Sequence, residues 1–141
     1  MEVLTMFKGN VSGEFTKLLE AAKQQDQPQR LLMLFARAEG DEEKASNGSH
    51  ETGTVTPLMC VDKLPEEIDS FEALVKEADA IESNWSFVLI AGLGGIDGEA
   101  PPTEAADQYL NQMANDLMMG QDLSGYTILD RQQSPVILQA N

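Results

Sequence analysis

The chain has 141 residues, of which 24 are Asp or Glu and 9 are Lys or Arg, for a formal net charge of −15. Binding a phosphate backbone takes a surplus of Lys and Arg, so this balance excludes most nucleic-acid binding and disfavours docking on an anionic membrane. A hydrophobic content of 42% can fill the core that a chain of this length buries, so a single globular domain over residues 1–141 is expected.

The one cysteine, Cys60, excludes an intramolecular disulfide framework and any multi-cysteine metal site. A free thiol fits a reducing setting. The N-terminal Met-Glu-Val-Leu-Thr-Met-Phe-Lys lacks the basic flank and apolar stretch of a signal peptide, which sets a cytoplasmic expectation. The longest apolar runs, Leu31 to Ala36 and Phe87 to Gly95, fall short of the ~20 residues that span a bilayer. The single histidine, His50, sits in a polar Ser/Gly/Glu stretch, so it offers little for a catalytic triad or a zinc site.

In chain order, Phe15, Leu18, Leu19 and Ala22 recur at helical spacing over residues 14–24, with Ser12 or Gly13 at the cap. Gln25 to Gln29 is polar, contains Pro28 and turns the chain. Leu31 to Ala36, bounded by Arg30 and Arg37, reads as a strand buried on both faces. Residues 38–53 contain no large apolar side chain and read as a flexible acidic loop, with an active-site lid as the alternative. Thr54 to Val61 is a second strand, placed near an edge or strand start by Pro57.

Asp69, with Glu72 three residues on, reads as a capping box opening a helix whose stripe is Phe71, Leu74, Val75, Ala78 and Ile81. Phe87 to Ile90 is a third strand, followed by a Gly-rich loop from Ala91 to Gly98. Thr103 is the expected cap of a third helix that turns Ala106, Leu110, Met113 and Leu117 inward and ends at Gly120. Tyr126 to Leu129 and Pro135 to Leu138 suit a closing β-hairpin around Asp130 to Ser134. The expected class is α/β or α+β: about three helices packed on a sheet of about five strands.

Phe15, Leu18, Leu19 and Ala22 reappear 56 residues later as Phe71, Leu74, Val75 and Ala78, and Leu31 to Leu34 falls on Phe87 to Ile90 at the same offset. Either a helix–strand unit is duplicated, or two such units simply need similar lengths.

Candidate binding residues are Cys60, Asp62, Lys63, Gly94, Gly95, Asp130 and Arg131; no catalytic set, metal ligand or cofactor is expected. Gly92 to Gly98 follows a strand and precedes a helix, the context for phosphate on backbone N–H groups, but it matches neither the dinucleotide pattern nor the P-loop. Asp97, Glu99 and Glu104 would also repel a phosphate, so a connecting loop is the plainer reading. Cys60 needs a base or a positive environment to act as a thiolate, and a buried inert thiol is the simpler reading. Asp62, Glu66, Glu67 and Asp69 begin at a strand's C-terminal end, where open α/β sheets hold ligands, and offer oxygen ligands for a divalent cation, but their spacing matches no known loop and a solvated acidic turn is the plainer reading. Arg131, the sole basic residue after Lys76, should find a carboxylate partner that pins its turn.

Gln27-Pro-Gln-Arg-Leu-Leu32 leading to Phe35-Ala36, Pro57-Leu-Met-Cys-Val-Asp-Lys-Leu-Pro-Glu-Glu67, and Asp130-Arg-Gln132 with Pro135-Val136 resemble a family of small proteobacterial proteins of about this length. Some of its members carry the label of ribonucleotide reductase α subunit. The resemblance implies no established activity, and the label conflicts with the chemistry, because that subunit needs a thiyl-radical cysteine and a redox cysteine pair.

The functional expectation is a non-enzymatic cytosolic binding or regulatory domain that acts through protein contacts and favours basic partners, with homodimerisation open. The alternative is a small enzyme or ligand-binding protein with a cleft near Cys60, Asp62 and the 92–98 loop. An acidic mimic of nucleic acid is a third class.

Overall fold

Leu31 to Ala36 and Phe87 to Ile90 have apolar side chains at every position, so strands built from them need cover on both faces of a sheet. A computed structural model, which describes residues 5–39, 54–120, 122–123 and 125–136, shows how that cover is supplied. The elements are α1 (Thr5–Lys23), β1 (Gln29–Glu39), β2 (Thr54–Lys63), a single 3-10 turn (Pro65–Glu67), α2 (Phe71–Ile81), β3 (Phe87–Gly94), α3 (Thr103–Met118) and β4 (Thr127–Asp130). The strands form one sheet in the order β2-β1-β3-β4, and every neighbouring pair is antiparallel. The fold is α+β.

Alternation along the strands divides the core in two. Leu31, Met33 and Phe35 of β1, with Val88, Ile90 and Leu129, face Phe15 and Leu19 of α1 and Phe71, Leu74 and Ala78 of α2. Leu32, Leu34 and Ala36, with Phe87, Leu89 and Ile128, face Ala106, Leu110, Met113 and Leu117 of α3. The result is three layers, with α1 and α2 on one side of the sheet and α3 on the other. Each fully buried Leu, Ile or Phe contributes about 1.5–3 kcal/mol relative to exposure, so both layers are needed to offset chain ordering.

Several element boundaries differ from the sequence expectation, for local physical reasons. The first helix is two helical stretches merged across Gly13, whose φ of 58° and ψ of −178° only glycine adopts readily. Ser70, one residue after Asp69, caps α2: its Oγ accepts from Ala73 N at 3.0 Å. Thr103 is the first residue of α3 rather than its cap, and its hydroxyl donates to Asp62 Oδ2 at 3.0 Å instead. Gly120, in the left-handed region at φ 71°, follows the end of α3 as expected.

Ala38 and Glu39 belong to β1, where they pair with Val55 and Thr54, rather than to the loop; residues 40–53, including His50, lie outside the described residues. β3 runs on through Gly92 and Gly94, which pair with Leu31 and Gln29, so half of the Gly-rich stretch is strand. Four strands stand where about five were expected. Of the closing hairpin, Pro135 makes a single bridge to Leu129 and Val136 N donates to Ile128 O at 2.9 Å, while Ile137 and Leu138 lie outside the described residues.

Because consecutive residues of β3 are buried in different layers, the sheet tolerates truncation on neither face. Leu89→Ala and Ile90→Ala should each lower the unfolding free energy by about 2–5 kcal/mol, measured by urea denaturation. A fold with one solvated face would show a large loss for only one of the two.

Candidate functional site

The segments flagged in the sequence occupy two regions of the fold. On the α3 side, Asp62 at the end of β2 accepts from Arg30 Nη1 of β1 at 2.7 Å and from the Thr103 hydroxyl. Arg30 Nε in turn donates to Pro101 O at 2.6 Å. This cluster ties β1, β2 and the start of α3 together and occupies Asp62. Its position at a strand's C-terminal end carries no ligand-binding implication, because that rule describes parallel sheets and this sheet is antiparallel.

Cys60 pairs with Leu34 across the β1–β2 ladder and is exposed rather than buried. β2 is an edge strand, so its α3-side residues lie at the margin of the layer that covers β1. Partial burial, then the negative charge of Asp107 on α3, push the thiol above its ordinary value of 9.0. Both effects disfavour the thiolate, the opposite of what a nucleophile requires.

The Gly-rich stretch forms no open cradle. Gly95 N donates to Pro28 O at 2.8 Å, Ile96 N to Glu99 O at 3.0 Å, Gly98 N to Gln27 Oε1 at 2.8 Å and Glu99 N to Ile96 O at 3.1 Å. These donors close a tight turn against the β1 approach and are not directed at a ligand. Gly95 is fixed by contact: a Cβ there would sit 1.8 Å from Glu99 O. Gly94 ends β3 opposite Gln29.

On the other side of the sheet, Arg131 has the carboxylate partner its isolation demands. Its Nη2 meets Asp79 Oδ2 of α2 at 2.7 Å, and its guanidinium lies 4.3 Å from the centre of the Trp85 ring. Trp85 Nε1 donates to the other oxygen of Asp79 at 2.9 Å, and Arg131 Nη1 donates to Trp85 O at 3.2 Å. Trp85 is therefore held between Arg131 and Phe35, whose ring meets it edge-on at 5.0 Å. Asp130 is the last residue of β4 and closes the following turn: its Oδ1 accepts from Gln132 N at 2.8 Å and Ser134 N at 2.9 Å. Lys63 pairs with Glu77 of α2 at 3.0 Å.

A groove of about 950 Å³ lies between Glu14 and Lys17 of α1, Phe71 and Val75 of α2, and the turn from Arg131 to Pro135. Of the flagged residues, only Arg131 lines it; Cys60, Asp62, Lys63, Gly94, Gly95 and Asp130 do not. Gln133, at φ 68°, reaches back to accept from Phe15 N at 3.3 Å, packing against Gly13 and holding the turn to the kinked helix. A further tie joins α3 to the approach to β4: the Tyr126 hydroxyl donates to Asp116 Oδ2 at 2.6 Å, and burial and that contact push its pKa up to about 12.

Sequence reasoning missed Arg30, Asp79, Trp85, Thr103 and Gln133. Only Arg131 carried a usable signal, because a lone cation among acids needs a partner; the identity of that partner depends on the α2–β4 juxtaposition. Among the described residues, no group of three or more His, Cys, Asp or Glu is placed to hold a metal ion, and no helix is long and apolar enough to cross a membrane. No family model, curated protein or solved structure matches the chain.

Two outcomes follow from this geometry. Arg131→Met should lower stability by about 1–2 kcal/mol through loss of the ion pair and the ring contact, read by urea unfolding with the fluorescence of Trp85. Asp79→Asn, which keeps an acceptor for the Trp85 N–H, should cost less. Cys60 should react with iodoacetamide at neutral pH more slowly than an unhindered thiol despite its exposure, and Asp107→Asn should accelerate the reaction; a fast reaction insensitive to Asp107 would contradict the assigned cause.

Proposed function

We propose that the chain is a non-enzymatic binding domain that acts through protein contacts and offers an acidic surface to a basic partner. The observation that carries this reading is the disposition of charge. Residues 77–141 contain 10 acids and one base, and that base, Arg131, is tied to Asp79. The helix α3 has Glu104, Asp107 and Asp116 and no basic residue along its whole length. Glu104 and Asp107 are exposed near its N-terminal end, uncompensated within the helix.

The chemistry of the flagged residues adds indirect support. Asp62 is committed to Arg30 and Thr103, the Cys60 thiol is disfavoured as a nucleophile, and the Gly-rich turn spends its N–H groups internally. The enzyme alternative centred on those groups loses its physical motive. The free thiol and the acidic surface also fit a cytosolic protein, and membership of the small proteobacterial family that the sequence resembles belongs to the same reading.

Capture from cell extract with the immobilised chain, at low and at physiological salt, tests the proposal. A partner retained at low salt should be released at higher salt, where charges more than about 8–10 Å apart are screened, and should be lost with Glu104→Lys/Asp107→Lys. Both sites are exposed, so unfolding free energy should move by no more than about 0.5 kcal/mol in that variant. Absence of any salt-sensitive partner refutes the reading.

A further inference from the structure

We infer that the outer edge of β2 is a strand-pairing site for an extended, basic segment of a partner protein. This rests on the protein-binding reading above and specifies its place and mode. Within the sheet order β2-β1-β3-β4, the edges are β2 and β4. The β4 edge is taken up by the chain itself, through the Leu129–Pro135 bridge and the bond from Val136 N to Ile128 O. Among the described residues, no strand pairs with the outer side of β2. An unpaired strand edge presents a row of N–H and C=O groups that an incoming extended chain can satisfy.

Edges that stay solitary are guarded by outward charges, prolines or bulges. β2 carries such guards at one end only, where Pro57 sits beside the register shift opposite Phe35 and Ala36. From Leu58 to Val61 it has no charged side chain. The two charges that follow are engaged inward: Asp62 is bound to Arg30 at 2.7 Å and Lys63 to Glu77 at 3.0 Å, with side chains only 16% and 20% exposed. Neither is free to guard the edge.

Charge selects the occupant. The helix α3 packs over β1 and β2, with Thr103 bonded to Asp62 and Asp107 close enough to Cys60 to act on its thiol. A strand added beside Cys60 would turn alternate side chains toward α3, where Glu104 and Asp107 favour Lys or Arg. A second copy of the chain fits less well, since it would bring a formal charge of −15 against another −15.

The test uses the full chain labelled with nitrogen-15 and a short capped peptide of alternating Lys and Val. The controls are the Glu/Val counterpart and a Lys/Val peptide N-methylated at alternate amides. The Lys/Val peptide should bind at low salt and shift the amides of Leu58 to Val61. Both controls should fail, and Cys60→Lys should weaken binding by about tenfold without changing the melting temperature. Absence of Lys/Val binding, or equal binding of either control, overturns the proposal. Shifts confined to α3 also overturn it while leaving the acidic-surface reading intact, and that reading fails separately if extract capture yields no salt-sensitive partner. A dimer paired through β2, seen by sedimentation and by the same amide shifts without peptide, replaces the basic segment with a second copy.

Discussion

Burial of the two central strands on both faces is the constraint from which the remaining architecture follows. Every residue from Leu31 to Ala36 and from Phe87 to Ile90 is buried. An antiparallel sheet often leaves one face to water, but a face of Leu32, Leu34, Phe87 and Leu89 cannot be left so without a large loss of hydrophobic free energy. The chain supplies cover in the order its connections allow. The helices α1 and α2 each precede a central strand and lie together on one face, their Phe15 and Phe71 rings 5.3 Å apart. The opposite face is covered by α3, inserted between the neighbouring antiparallel strands β3 and β4, where a short hairpin would otherwise serve.

The same constraint explains why the 56-residue similarity overstates the internal equivalence. In the helices the offset holds physically, because Phe15 and Phe71 pack on the same face and touch each other. In the strands it fails by one residue. The offset sends Met33 to Leu89, yet Met33 faces α1 and α2 while Leu89 faces α3. A shift of one residue exchanges the faces of a strand. With both faces apolar, the sequence conceals that exchange, and the apparent repeat is a match of lengths and hydrophobicity rather than of side-chain direction.

What the sequence makes legible follows from how local each feature is. The helix stripes and the two apolar runs are patterns of a few residues, and the structure places nearly all of them in or against the core; Ile81, expected on the inward stripe, ends α2 and is 69% exposed instead. That helices pack on the sheet is legible too, but the choice between α/β and α+β turns on strand direction, which the sequence leaves open and the antiparallel pairing decides. Caps are less legible: Asp69 and Thr103 are each chemically able to cap, but Ser70 caps α2, and Asp62, across the fold, takes the Thr103 hydroxyl. Cys60 is exposed although its sequence neighbours are apolar, because β2 lies at the edge of the sheet, a position consistent with Pro57 in that strand.

Charge obeys a hierarchy that composition alone does not show. Basic side chains join separate elements, as Arg30 joins Asp62 between β1 and β2, Lys63 joins Glu77 between β2 and α2, and Arg131 joins Asp79 between the turn after β4 and α2. Their worth differs with exposure. Arg30 and Asp62 are 15% and 16% exposed and share a hydrogen-bonded cluster, whereas Glu77 is 52% exposed, so solvent screens the Lys63 pair more strongly. In a chain with only 9 basic residues, each cation placed at such a junction is one fewer available to neutralise the exterior. The acidity of α3 is thus coupled to the fold: the sole cation beyond Lys76 holds the Trp85 layer on the opposite face, while Glu104 and Asp107 stay exposed on α3, with Asp107 close enough to Cys60 of β2 to act on its thiol.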